Sequence, residues 1–234
     1  SSSANGLYTA ASKIPNFVIL FSQIFIDAWQ LSAVDEYDQE GGRQFFTKVF
    51  RVYSGGIFAV ASVLILLCQF ITRILVAKSY YDSWQFVPIL IIATTFSCIV
   101  NFLASIYMAE KKNVMSLVTA MSGAITNFVL NLVFIPRIGA NGAALATVCA
   151  FLVVFVTRAI DTRRFIKIDF KLPVLLGETA VLVTQSILLL KYDGTLWVYI
   201  IEVLLVVVML LLNLKPIKEL VNLILAKFLK KRKN

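Results

Sequence analysis

The sequence predicts an all-α polytopic membrane bundle of about seven transmembrane helices, and three observations carry that prediction. Apolar residues make up 59% of the 234-residue chain and its mean hydropathy is +0.86, well beyond the roughly 45–50% apolar content of soluble domains. They gather into seven stretches, each near the ~20 residues a helix needs to cross a hydrocarbon core. None shows the alternation of a lipid-facing strand. Lipid offers no partner to a free backbone N–H or C=O, so each stretch must close its own hydrogen bonds as a helix.

The expected spans, in chain order, are 8–32, 50–75, 87–109, 114–136, 143–162, 173–191 and 195–214. Along the first, Thr9, Lys13, Asn16, Gln23, Asp27 and Gln30 fall on one face of a helix turning about 100° per residue. An ionisable group on the lipid side costs on the order of 2.5–3.5 kcal/mol, so that face is expected to look toward water or protein. Lys13 and Asp27 also suit snorkelling to opposite interfaces, but snorkelling leaves Asn16 and Gln23 between them without an account.

The second span follows the basic residues Arg43, Lys48 and Arg51, which belong to one set of connections. The third repeats the polar pattern more mildly, with Thr94, Ser97, Asn101 and Ser105, and in the fourth Gly123, Asn127 and Asn131 recur every fourth residue after Ser116 and Thr119. Such small and amide side chains suit both a wet lumen and hydrogen-bonded contact between helices. Between the fourth and fifth spans, Pro136 is expected to end one helix while Gly139 and Gly142 permit the reversal. Gly142, Ala146 and Ala150 then form a small-residue ridge for close helix contact. The sixth and seventh spans carry Glu178, with Gln185 almost on its face, and Glu202 among apolar neighbours. Carboxyl groups at that depth are candidates for ion coupling, as protonation sites or as partners of Lys13 or an arginine elsewhere. They also fit neutral, structurally idle acids.

Cys68, Cys98 and Cys149 lie in three different spans and the chain has no His, so the cysteines read as small hydrophobes rather than a disulfide or metal set. No cofactor, metal or catalytic group is expected. Seventeen of the 22 basic residues fall on one set of connections, among them Arg43, Lys48, Arg51, Lys111, Lys112, Arg158, Arg163, Arg164, Lys167 and Lys171, together with the C-terminal tail. That bias places this side and the C-terminus in the cytoplasm and accounts for most of the net charge of +9 without a nucleic acid. In the tail 215–234, Ile217, Leu220, Val221, Ile224, Leu225 and Phe228 recur at helical spacing beside lysines, the pattern of a helix lying in an anionic inner leaflet. A plain solvated basic tail is the alternative. The chain opens on Ser1-Ser2-Ser3-Ala4-Asn5-Gly6, with neither Met nor a signal peptide, and is expected to be part of a longer protein.

Several segments resemble the C-terminal lobe of bacterial polysaccharide flippases of the MOP superfamily, the Wzx-type transporters of O-antigen, capsule and exopolysaccharide. They are Gly6-Leu7-Tyr8-Thr9-Ala10-Ala11-Ser12-Lys13-Ile14-Pro15-Asn16, Ala28-Trp29-Gln30-Leu31-Ser32-Ala33, and the run from Gly123 through Asn127, Asn131, Pro136 and Gly139 to Thr147. The likeness runs from about residue 5 to 165; the last two spans match only in length and position.

The resemblance implies the second lobe of a MATE-like two-lobe transporter. Residues 1–165 would be lobe core, 166–214 an accessory helix pair and 215–234 a basic cytoplasmic tail. It implies a bacterial cytoplasmic-membrane protein that flips undecaprenyl-diphosphate-linked oligosaccharide by alternating access. The missing N-terminal lobe would complete it, with membrane lipid, a glycan polymerase and glycosyltransferases as partners. On that picture Lys13 attracts diphosphate or acidic sugar, while Asn16, Gln23, Asn101, Asn127 and Asn131 bond hydroxyls, with Asp27 on the same polar face. Only Lys13, Asn16, Asn127 and Asn131 lie in segments that match the family; the rest come from periodicity. A multidrug or ion antiporter of the same superfamily is the alternative within transporters. A membrane glycan polymerase or ligase is a weaker one, since the longest outer connection, near 76–86, is short for a site of acid–base groups.

Overall fold

The computed structural model describes residues 2–37, 42–215 and 218, with side chains described from Gly6 to Asp27 and from Arg43 onward. Among the described residues there is no strand. The helices are α1 (Ser2–Ala11), α2 (Asn16–Tyr37), α3 (Gly42–Leu66), α4 (Cys68–Leu75), α5 (Val87–Ala109), α6 (Asn113–Ile138), α7 (Ala140–Asp161), α8 (Leu172–Lys191) and α9 (Leu196–Leu212). Short 3₁₀ turns at Lys78–Phe86 and Thr162–Arg164 join α4 to α5 and extend α7. Among the described residues, five helical stretches are long and apolar enough to cross a membrane, and the 17-residue α9 is a shorter apolar helix. The expected amphipathic tail helix beyond Lys215 and the side chain of Gln30 lie outside the described residues.

The central element is α5, which packs on α2, α3, α6, α7 and α8. It begins at Val87-Pro88, where the N–H that proline lacks has no helical partner in any case. Most of its side chains are buried. An aromatic stack locks it to α3 and to the α7–α8 connection: Tyr53 lies parallel to Phe102 at 5.1 Å, and Phe50 meets Phe102 at 5.5 Å and Phe170 at 5.1 Å. The Tyr53 hydroxyl donates to the carbonyl of Cys98 (2.9 Å) and shares a 2.6 Å bond with Ser22 on α2, so the large ring is buried with its polar end satisfied. The three cysteines are free, Cys68 and Cys98 buried.

Three expectations about helix ends and turns are corrected. The first span is not one rod: α1 and α2 are separated by turns at residues 12–15. There the N–H groups of Lys13 and Ile14 reach back only three residues, and Pro15 has no N–H to donate. Pro136 does not end α6, which continues to Ile138. In the last turn its ring removes a single donor, and termination falls to Gly139 at φ +60°, a conformation open to glycine. The reversal needs Gly139 alone. Gly142 is buried in the first turn of α7, where a Cβ would stand 2.6 Å from the carbonyl carbon and oxygen of Phe134. Gly142, Ala146 and Ala150 all lie buried on α7, and α6 and α7 form the most extensive helix pair. The outer flank of α6 remains apolar and exposed at Leu117, Met121, Ile125, Phe128 and Leu132.

Candidate functional site

Small residues on α6 and α7 leave a cavity of about 410 Å³ against α5. Its walls are Val100 and Asn101 from α5, Ala120, Gly123, Ala124 and Asn127 from α6, and Thr147, Ala150, Phe151, Val154 and Arg158 from α7. Gly123 lets α6 approach α7 closely: a Cβ there would run into Cγ2 of Val154, which would have to turn away. Asn127 and Asn101 therefore reach one space. The Asn127 amide donates to Thr147 Oγ1 (3.3 Å) and accepts from the amide of Asn131 (2.8 Å). The side-chain oxygen Oδ1 of Asn131 is buried without a partner.

Arg158 lines the same cavity, and its placement corrects the sequence reading, which counted it among loop cations. It is 4% exposed, inside α7. Its guanidinium donates to the carbonyl of Val100 (2.7 Å), to Thr119 Oγ1 (3.0 Å) and to the carbonyl and hydroxyl of Ser116 (3.1 and 3.3 Å). It also lies 5.9 Å from the centroid of Tyr107, whose hydroxyl donates to Asp161 (2.9 Å). Among the described residues Arg158 forms no ion pair, so its charge is solvated by neutral oxygens and ring density. The spacing of Thr147, Phe151, Val154 and Arg158 puts them on one helical face. That register was the signal available in sequence, and the position of Arg158 near the end of an apolar run concealed it. Chemically, the cavity offers amides and a hydroxyl for neutral hydroxyl-rich groups and a fixed cation for one negative charge.

The other candidate residues lie elsewhere. Lys13 is exposed in the turn between α1 and α2, and Asn16, Gln23 and Asp27 are exposed along α2. Gln23 donates to Asp27 at 2.6 Å, a one-turn pair on that face. None of these four lines the cavity that Asn101 and Asn127 share. The face of α2 toward the protein is carried by Val18, Ser22 and Ile26.

Glu202 is fully buried and its partner is neither Lys13 nor an arginine. The Gln185 amide donates to it at 2.8 Å, and the Ser62 hydroxyl of α3 donates to Gln185 Oε1 at 2.8 Å, giving a relay that joins α3, α8 and α9. Its second carboxyl oxygen, Oε1, is buried without a partner. Glu178, also buried, does not share the relay with Gln185 despite lying on nearly the same helix face. It lies beside Asn213 in a separate cavity. Among the described residues no group of His, Cys, Asp and Glu is arranged to hold a metal.

No family model matches the chain. No curated protein matches it in sequence. Among solved structures, the lipid II flippase MurJ in an inward closed conformation superposes on 92% of the chain with TM-score 0.60 at 17% identity. The chain spans 48% of that protein's length. At this identity the likeness is one of fold: the chain is an all-α bundle with the helical architecture of about half of that flippase.

Proposed function

We propose that this chain is part of a transporter that moves a lipid-linked oligosaccharide across the bacterial cytoplasmic membrane by alternating access, in the manner of the polysaccharide flippases it resembles. The observation that carries the reading is the cavity in which Asn101, Asn127 and Thr147 share space with Arg158. Amides suit sugar hydroxyls, and a buried guanidinium suits a phosphate oxygen. The name of the structural neighbour, a flippase of lipid II, supports a lipid-linked cargo.

In this reading residues 1–165 belong to the lobe core, 166–214 to an accessory pair and 215–234 to a basic tail. Lys13, Asn16, Gln23, Asp27 and Asn131 add a polar lining that a second lobe completes, and the chain acts as a carrier rather than an enzyme. Glu178 and Glu202 are the candidates for ion coupling. The unbonded oxygen of Glu202 also favours a second reading, cation-coupled antiport within the same superfamily. The two readings differ in cargo: retention of a lipid-linked oligosaccharide supports the first, and retention of a cationic dye in its place supports the second.

The test is restoration of surface polysaccharide in a flippase-null cell by the full-length gene. Asn101→Leu with Asn127→Leu is expected to abolish restoration while the protein still reaches the membrane, and Lys13→Ala to weaken it. Full restoration by the double variant removes the cavity from the transport path.

A further inference from the structure

A second polar recess lies at the end of the bundle where α3 begins, α7 runs into α8 and α9 stops. Arg43, Thr47 and Arg51, spaced one turn apart on α3, hold the α7–α8 connection along their length. The Arg43 Nε donates to the carbonyl of Lys167 (2.8 Å), Thr47 Oγ1 accepts from the Asp169 N–H (3.2 Å), and Arg51 pairs with the Asp169 carboxylate (2.8 Å). The cavity beside this seam has a volume of about 430 Å³ and is lined by Gln44, Lys48 and Lys215 as well as the seam residues.

Even without Lys48, the cations Arg43, Arg51 and Lys215 outnumber the one acid among the described lining residues, and that acid is already engaged by Arg51 and, at 3.3 Å, by Lys171. The Nε of Arg51 is buried with no partner, an unfilled donor at the wall of the recess. The two guanidinium groups are held in place by the seam before any ligand arrives, which lowers the ordering cost of binding an anion.

The recess also has an apolar extension. Arg51 and Lys215 line a second cavity of about 280 Å³, whose walls include Phe170, Val174, Leu175 and Leu212, with Glu178 and Asn213 beside them. A cationic mouth that continues into an apolar trench matches an amphiphile better than a free ion. We infer that this recess binds the phosphate headgroup of an anionic membrane phospholipid, with an acyl chain along the α8–α9 trench. The site is separate from the Asn101–Arg158 cavity and does not depend on what the chain transports. The basic bias of this end faces it to the leaflet that carries anionic lipid.

The experiment uses the full-length protein purified in detergent, with native mass spectrometry counting phosphatidylglycerol and phosphatidylcholine adducts. Wild type is expected to retain phosphatidylglycerol over phosphatidylcholine, and each cation removed to weaken retention about fivefold. The combined variant Arg43→Gln, Lys48→Gln, Lys215→Gln is expected to lose the preference. A control variant, Lys111→Gln, Lys112→Gln, Arg163→Gln, removes as much charge from the same end but spares the recess, and should keep it. Equal loss in both variants overturns the site in favour of general surface charge. Retained preference in the first variant, with an unchanged melting temperature, also overturns it. Displacement of the bound lipid by millimolar inorganic phosphate overturns the headgroup assignment and marks a free-anion site. Because the readout is lipid retention, failure here leaves the polysaccharide-restoration test untouched, and the reverse holds too.

Discussion

Arg158 and Val100 are joined by a 2.7 Å hydrogen bond from a buried guanidinium to a carbonyl of the neighbouring helix. The same side chain ties α7 to α6 through Ser116 and Thr119. One cation therefore lines the candidate cavity and clamps three helices.

Replacing Arg158 with Met is expected to lower stability by about 1–3 kcal/mol, because the oxygens of Val100, Ser116 and Thr119 lose a donor inside the bundle. Arg158→Lys keeps the charge but cannot reach three acceptors in fork geometry and should recover only part of the loss. Thermal unfolding in detergent measures both. A Met variant as stable as wild type would mean that the guanidinium clamps nothing.

The relay Ser62–Gln185–Glu202 predicts coupling between the last two residues. Glu202→Met leaves the Gln185 amide with only the long 3.4 Å contact to the Ser62 carbonyl, and Gln185→Met strips Glu202 of its donor. Each single change should cost about 1–3 kcal/mol by leaving a buried polar group unmatched, and the double change less than the sum. A double-mutant cycle on unfolding free energy reads the coupling; strict additivity would refute it.

Gly142→Ala and Gly123→Ala separate two kinds of close approach. At Gly142 the new methyl meets the backbone of Phe134 and Ile135, which cannot rotate away, whereas at Gly123 it meets mainly a methyl of Val154. The first should destabilise by about 1–3 kcal/mol and the second by less, after Val154 changes rotamer. The order of the two melting temperatures checks this.

Asp169 makes the α7–α8 connection acid-sensitive. The Lys171 N–H (3.0 Å), and after it the Lys171 ammonium and Arg51, hold its carboxyl below the usual carboxylate range. A lowered folded-state pKa contributes stability that is full above the unfolded value of about 3.9 and is lost as pH falls through the folded value. Hydrogen exchange over residues 165–171, corrected for intrinsic rates, should thus be flat from about pH 5 to 8 and accelerate toward pH 3. Asp169→Asn should remove the acid step. An acid step of the same size in that variant would assign it to another group.

Much of the architecture was legible in the residues themselves, because a backbone in lipid has few choices. Apolar runs of spanning length with no strand alternation admit only helices, and the third span, 87–109, coincides with α5 (Val87–Ala109). The close contact of Gly142, Ala146 and Ala150 was visible for the same reason: periodicity along one helix is a local property. What one helix meets on another is not local. The sequence placed Arg158 with the loop cations, put Asn16 and Gln23 in common with Asn101 and Asn127, and left Glu202 among apolar neighbours. Only packing could show that the first lines the cavity between α5, α6 and α7, that the second pair lies on a different surface, and that Gln185 donates to the third. The same holds for the break at 12–15, where Pro15 was in plain sight, and for Pro136, which stays within a helix. Proline removes one donor at either place, and the surrounding bonds decide whether the helix stops. Composition and periodicity thus determined which segments are helices, while tertiary structure decided which polar side chains share a space, because that depends on rotations and offsets between helices that no single helix encodes.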